Sequence, residues 1–174
     1  MKIKGRVLKY GDNINTDIIS PPQYMELSIE EASKYSMTNI DPEFPNKVQK
    51  GDIMVGGSNF GSGSSRETSP LTLKHLGIVV VISKFFARIF YRNCINIGLI
   101  PIECEEVDKI NDNDILEIEV ESGTINNLTT GDSYKCSAIP SHLLEIIEDG
   151  GLVSNLKKQL AKNNGDNVQK IKYI

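Results

Sequence analysis

Tryptophan is absent from the 174 residues, and cysteine (three) and histidine (two) are sparse. Cys94, Cys104 and Cys136 are scattered, with no CxxC spacing, so the chain encodes neither a zinc site nor an iron–sulfur ligand set of its own. An odd, dispersed set suits a reducing compartment, where each cysteine acts as a small buried apolar residue. His75 and His142 are too few and too far apart for a metal centre. Long apolar runs are missing too. The longest aliphatic stretch, Ile78 to Ile82, falls well short of the roughly 20 residues that cross a bilayer, and the start MKIKGRVLKYGD holds no apolar signal-peptide core. A soluble, cytoplasmic protein without a membrane partner is expected. Positive charge is also in deficit: 19 Lys and Arg against 23 Asp and Glu give a net charge of −4. No basic stripe is present to neutralise phosphates, so DNA and RNA are not expected partners.

What is present is a chain of alternating short strands and helices, without repeats or low-complexity tracts, long enough to bury about 70% of its unfolded surface. Lys2 to Leu8 alternates apolar and charged residues as a strand does. Asp12 to Leu27 is turn-like, broken by Pro21 and Pro22. Ser28 followed by Glu31 is a capping box that predicts a helix through about Met37. Strands are expected at Ile53 to Val55, at Ile78 to Ile82 (β-branched throughout, hence central and covered on both faces) and at Leu99 to Ile102. Leu116, Ile118 and Val120 alternate with glutamates as a strand with one wet face, and Gly131-Asp132 turns the chain into Ser133 to Cys136. Helices are expected from about Arg66 to Leu76, Phe85 to Ile97, Ser141 to Glu148 and Leu152 to Leu160. The fold class is therefore α/β, a central mixed sheet flanked by helices, in one domain over 1–162 with a polar, frayed tail over 163–174.

The informative stretch is Gly56 to Glu67, GGSNFGSGSSRE, with four glycines and four serines before the helical pattern. A flexible linker inside a compact domain rarely ends at once in Ser-Ser-Arg-Glu and a helix. A phosphate loop is a second reading, but a Gly-Lys-Ser/Thr ending and the third glycine of a dinucleotide fingerprint are missing. The third reading is a carboxylate site: glycines allow close backbone approach, Ser64 and Ser65 offer hydroxyls and N–H groups, and Arg66 offers a two-pronged fork. A serine at the positive end of a helix also gains stabilisation as an alkoxide base. His75, about two and a half turns along that helix, points elsewhere, which excludes a Ser–His triad.

These residues carry a resemblance. Asn15-Thr16-Asp17, Asn59-Phe60-Gly61, Gly63-Ser64-Ser65-Arg66-Glu67, Phe86-Ala87-Arg88-Ile89-Phe90-Tyr91-Arg92-Asn93 and Asn96-Ile97-Gly98-Leu99 follow in the order and spacing of the small subunits of 3-isopropylmalate dehydratase. The chain thus resembles the swivelling β/β/α domain of the aconitase superfamily over essentially residues 1–160. Ser62, Thr68 and Phe85 depart from the residues usual there (cysteine, histidine and serine), and none is a proposed catalytic group.

The resemblance implies a hydro-lyase that removes water from a dicarboxylic 2-hydroxy acid and returns it in the other regiochemistry, as in leucine biosynthesis. It implies a heterodimer in which a separate large subunit carries a [4Fe-4S] cluster, with no cofactor or metal in this chain. Ser64 takes the role of the base, Ser65 and Arg66 hold the substrate carboxylate with Thr16 beside them, and Asp17 matches the active-site aspartate. Tyr24, Met25, Glu26 and Leu27 match the loop facing the variable arm of the substrate. Met25 and Leu27 favour an apolar arm there, and Glu26 disfavours a third carboxylate. Homoaconitate, citraconate and 2,3-dimethylmalate remain alternative substrates, and a non-catalytic anion-binding module is the alternative of a different class. Blander roles stand beside these: Asp17 as a turn cap, Arg88 and Arg92 as partners of acidic groups in the core or in the other subunit, and Glu67 at the helix dipole.

Overall fold

The computed structural model describes residues 1–171, with side chains through Lys162; the tail expected over 163–174 lies outside the residues whose side chains are described. The chain runs β1 (Lys2–Lys9), α1 (Thr16–Ile19), α2 (Ile29–Ser33), α3 (Phe44–Lys47), β2 (Ile53–Val55), α4 (Thr68–Leu76), β3 (Val80–Ser83), α5 (Arg88–Ile97), β4 (Ile100–Glu103), β5 (Ile115–Glu119), β6 (Thr124–Asn127), β7 (Ser133–Lys135), α6 (Ser141–Glu148) and α7 (Leu152–Ile171). The strands form one seven-stranded sheet in the order β4-β3-β2-β1-β5-β6-β7. β1 joins its two halves. Val7 to Lys9 pair parallel with β2, whereas Lys2 to Arg6 pair antiparallel with β5. The α/β class with a mixed sheet flanked by helices is thereby met.

Alternation along each parallel strand sends successive side chains to opposite faces, and both faces are covered. One face packs Val7, Ile53, Val55, Val80 and Ile82 with Ile95, Leu144 and Ile147 of the helices. The other packs Leu8, Met54 and Val81 with Ile14, Ile19, Phe44, Phe60, Leu73 and Phe90. In the antiparallel half, β5 buries Leu116 and Ile118 while its glutamates stay partly exposed, as the alternating sequence requires. No helix among the described residues is long and apolar enough to cross a membrane.

Several boundaries differ from the sequence expectations for identifiable reasons. The helix capped by Ser28, whose Oγ accepts from the Glu31 N–H at 3.2 Å, ends at Ser33 instead of near Met37. Turns follow, and Met37 sits fully buried at φ 62°, a left-handed stop. Strand β3 starts at Val80 because Ile78 closes the preceding helix: Gly77 takes φ 119° and the Ile78 N–H donates to the Leu73 carbonyl at 3.1 Å. Phe85 to Ala87 are held off α5 by a parallel bridge of Phe86 to Phe60, with the Ala87 N–H donating to the Phe60 carbonyl at 2.9 Å.

Phe60, Phe86 and Phe90 form an aromatic cluster with centroid separations of 5.4–6.2 Å. Gly61 lies against it at φ 75°, and a Cβ there would fall 2.1 Å from Phe90 Cγ. Gly61→Ala is therefore expected to destabilise the protein by at least about 2 kcal/mol, from backbone strain added to overpacking. The corresponding drop in Tm is roughly 5 °C or more. An unchanged thermal melt would show that the cluster yields without cost.

Candidate active site

Strands β1, β2 and β3 run parallel, so the segments leaving their C-terminal ends (10–27, 56–67 and 84–87) gather at one edge of the sheet, where ligands bind in open α/β folds. The first two of these are zipped together by backbone hydrogen bonds. The Gly57 N–H donates to the Gly11 carbonyl at 2.9 Å, Asn13 to Ser58 at 2.8 Å, Gly61 to Ile14 at 2.7 Å and Thr16 to Ser62 at 2.8 Å. This ladder brings the Asn-Thr-Asp and Gly-Ser-Ser-Arg motifs side by side.

Thr16 and Asp17 open α1, a one-turn helix inside the segment expected to be only turns. Asn15 caps it, its side chain accepting from the Ile18 N–H at 2.9 Å. The cap fixes Asp17 facing the glycine loop. Arg66 Nη1 lies 2.9 Å from the Asp17 carboxylate and donates to the Ser20 carbonyl at 3.4 Å. Neither Nε nor Nη2 of Arg66 has a partner among the described residues, so one edge of the guanidinium is anchored and the other is available. The side chain of Arg66 is 16% exposed and that of Asp17 57%. An ion pair this exposed adds at most about 1 kcal/mol to stability, and its consequence is orientation of the fork. Thr16 is buried, and its Oγ1 has no hydrogen-bond partner. Gly63, at φ 107°, passes directly over it: a Cβ on Gly63 would lie 2.9 Å from that oxygen.

Ser64 and Ser65 are exposed, and neither hydroxyl is hydrogen-bonded among the described residues. One expectation is corrected here. Helix α4 begins at Thr68 with Glu67 as its N-cap, so Ser64 stands outside the first turn, and the helix dipole does not reach it as a stabiliser of an alkoxide. The glycine-rich segment packed against residues 11–16 delays the helix: the Arg66 N–H donates locally to the Ser64 carbonyl at 2.8 Å, and helical dihedrals begin at Glu67 (φ −64°, ψ −27°). Glu67 is exposed and offers no side-chain cap.

Residues 24–27 lie on the α2 side of the same edge. Tyr24 stacks on Tyr35 with centroids 3.7 Å apart, while Met25, Glu26 and Leu27 are exposed. No hydrogen bond or ion pair joins them to Ser64–Arg66 among the described residues. Arg88 and Arg92 have no carboxylate within ion-pair distance among the described residues, which removes the reading that acidic groups of the core hold them. Sequence reasoning had named Asp17 and Arg66 separately. Their pairing and the Asn15 cap were missed, although an asparagine directly before Thr-Asp is itself a helix-start signal.

Burial pushes the Cys94 thiol well above its ordinary range, raises Cys104, and lifts Cys136 to about 11. Among the described residues no group of three His, Cys, Asp or Glu side chains is placed to hold a metal ion.

Residues 2–107 match the aconitase C-terminal domain family. The chain is 52% identical over 163 residues to the isopropylmalate/citramalate isomerase small subunit of Methanocaldococcus jannaschii, covering 92% of this chain and 97% of that one. It is 50% identical over 162 residues to the 3-isopropylmalate dehydratase small subunit of Nautilia profundicola, covering 92% and 98%. A crystal structure of 3-isopropylmalate dehydratase from Methanocaldococcus jannaschii superposes with a TM-score of 0.90 at 44% identity, covering 95% of this chain and 99% of that one.

Proposed function

Since the chain belongs to the aconitase C-terminal domain family, and within it to the small subunits of 3-isopropylmalate dehydratase, we propose that it is the substrate-closing half of a two-subunit hydro-lyase that isomerises 2-isopropylmalate to 3-isopropylmalate. The observation that supports this reading best is an incomplete anion site: an arginine anchored along one edge by Asp17, its other edge free, beside two exposed and unpaired serine hydroxyls. A carboxylate fits the open edge of that fork bidentately.

Bound there, the substrate places the carbon next to its carboxylate within reach of Ser64. Ser64 Oγ, as the alkoxide, accepts the proton from that carbon and is left as a hydroxyl. Arg66 and the Ser65 hydroxyl stabilise the carboxylate as charge builds on it, and the same groups act in reverse when water returns at the neighbouring carbon. An exposed serine in water is far too weakly acidic to do this. The alkoxide requires a dry, positively charged surrounding, and the open edge of this chain acquires one only when another body covers it. That body is the large subunit. This chain's residues do not fit an iron–sulfur cluster, so the [4Fe-4S] group belongs to the partner, where it supplies Lewis acidity toward the leaving hydroxyl. Met25 and Leu27 offer apolar surface to the variable arm, and Glu26 repels a third carboxylate. At an effective dielectric of about 20 and a separation of roughly 5 Å, the opposition is on the order of 3 kcal/mol. Isopropylmalate, citramalate-sized substrates and dimethylmalate are accordingly preferred to homoaconitate.

The test is reconstitution under anaerobic conditions. The purified chain alone is expected to be colourless and inactive on a panel of dicarboxylic 2-hydroxy acids, and addition of the large subunit restores turnover with isopropylmalate ahead of homoaconitate. Turnover by the isolated chain, or preference for homoaconitate by the complex, would overturn the reading.

A further inference from the structure

Helix α5 starts at the same sheet edge as the candidate site and carries a face left exposed by the described residues. Phe90, Cys94 and Ile97 turn inward and are buried. Phe85 and Ile89 are each 49% exposed, and Arg88 and Arg92, one helical turn apart, are exposed with no carboxylate partner among the described residues. Beside them runs a groove of about 560 Å³ lined by Phe86, Arg88, Ile89, Tyr91, Arg92 and Glu103. Glu103, whose carboxylate accepts from the Phe86 N–H at 3.2 Å, lines the same groove without coming within ion-pair distance of either arginine. Solvent-exposed arginine is unremarkable alone, but two unpaired guanidiniums framing exposed Phe and Ile side chains have the composition of an interface core, which is enriched in arginine and aromatics.

We propose that Phe85, Arg88, Ile89 and Arg92 form the surface on which the large subunit docks, through a segment of that partner bearing carboxylates on an otherwise apolar face. The inference rests on the two-subunit reading above and names where the two halves meet. Continuity supports this occupant. Phe86 and Ala87 are in backbone register with Phe60, so a body that closes over the glycine loop also meets the start of α5. Charge disfavours a second copy of this chain, because a two-fold contact through this face would bring four guanidiniums together with only the two Glu103 carboxylates to offset them. In a chain of net charge −4, the unpaired basic pair also steers an acidic partner surface to this edge rather than elsewhere.

The experiment measures binding of the anaerobically prepared large subunit to wild-type chain and to Arg88→Glu/Arg92→Glu. The expected result is a Kd raised at least tenfold, with the salt dependence of binding largely lost. Lys4→Glu/Lys50→Glu, with the same charge change at the opposite edge of the sheet, is expected to bind within twofold of wild type. Circular-dichroism melting verifies folding of each variant. Arg88→Gln/Arg92→Gln, which removes the charge and keeps a polar side chain, and Ile89→Asp give the same readout should charge reversal unfold the chain. At saturating large subunit, the arginine variants are expected to recover turnover to within about twofold. Binding within twofold of wild type by the arginine variants would overturn the docking surface. So would lost turnover at unchanged Kd, which would assign the arginines to substrate. Failure of the wild-type chain itself to bind would overturn the two-subunit reading, and the docking surface with it.

Discussion

Ser64→Ala is expected to lower kcat of the reconstituted enzyme by about a thousandfold or more, while leaving the fold and association with the large subunit intact. A positioned base contributes typically 10²–10⁴ to a rate, and among the described residues only the Ser65 hydroxyl, assigned to the substrate carboxylate, stands beside it. His75 and His142 are exposed on α4 and α6, and the Asp17 carboxylate is tied to Arg66. Stability should change by less than about 0.5 kcal/mol, because Ser64 is exposed and its hydroxyl holds nothing in place. Ser65→Ala tests the division of labour. Loss of a hydrogen bond to a charged carboxylate costs about 1.5–3 kcal/mol, so its effect should be tens to a hundredfold and should fall partly on KM. Measurement of kcat and KM for both variants, with the large subunit in excess, separates the roles. Near wild-type turnover by Ser64→Ala would move the base to Ser65 or to the partner.

Most of the sheet was legible because burial on both faces and burial on one face leave different patterns. β3 is β-branched at Val80, Val81 and Ile82, and β5 alternates apolar residues with glutamate, so period and composition sufficed. Elements of one turn escaped. α1 and α3 lie among prolines and asparagines that read as turns, and what makes them helical is capping and packing: Asn15 closes α1, and Ile19 and Phe44 anchor the two segments in the core. β6, with the sequence Thr-Ile-Asn-Asn, carries almost no strand signal and forms because β5 and β7 offer it ladders on both sides. At the site, the residue types were readable from the motifs, but their mutual placement was not. Asp17 and Arg66 meet because the parallel pairing of β1 with β2 delivers two loops to one edge, a long-range fact that no local periodicity records. The position of Ser64 outside α4 was hidden for the same reason. The loop's close fit to residues 11–16 through Gly57, Gly61 and Gly63 decides where helix can begin.

Arg66→Lys is expected to lower kcat/KM by roughly a hundredfold or more, although it conserves charge. Arg66 performs two tasks with separate nitrogens: Nη1 engages Asp17 and the Ser20 carbonyl, and the free edge of Nε and Nη2 is left for the substrate carboxylate. A lysine ammonium is one point donor on a flexible stem. It satisfies Asp17 or the substrate, and it cannot hold the planar two-bond geometry toward either. Losing a desolvated, charge-assisted pair of hydrogen bonds costs about 3 kcal/mol, which converts to the expected factor. A double-mutant cycle then decides what Asp17 does. If its carboxylate acts by holding the fork, Asp17→Asn is damaging in the wild-type background and close to neutral beside Arg66→Lys, giving a coupling of about 1–3 kcal/mol. If Asp17 instead handles a proton or touches substrate directly, its loss is as large in either background. Independent effects would therefore detach Asp17 from Arg66 and make it a catalytic group in its own right. Arg66→Lys with wild-type kcat/KM would show that the substrate carboxylate is bound elsewhere, most directly by groups of the large subunit.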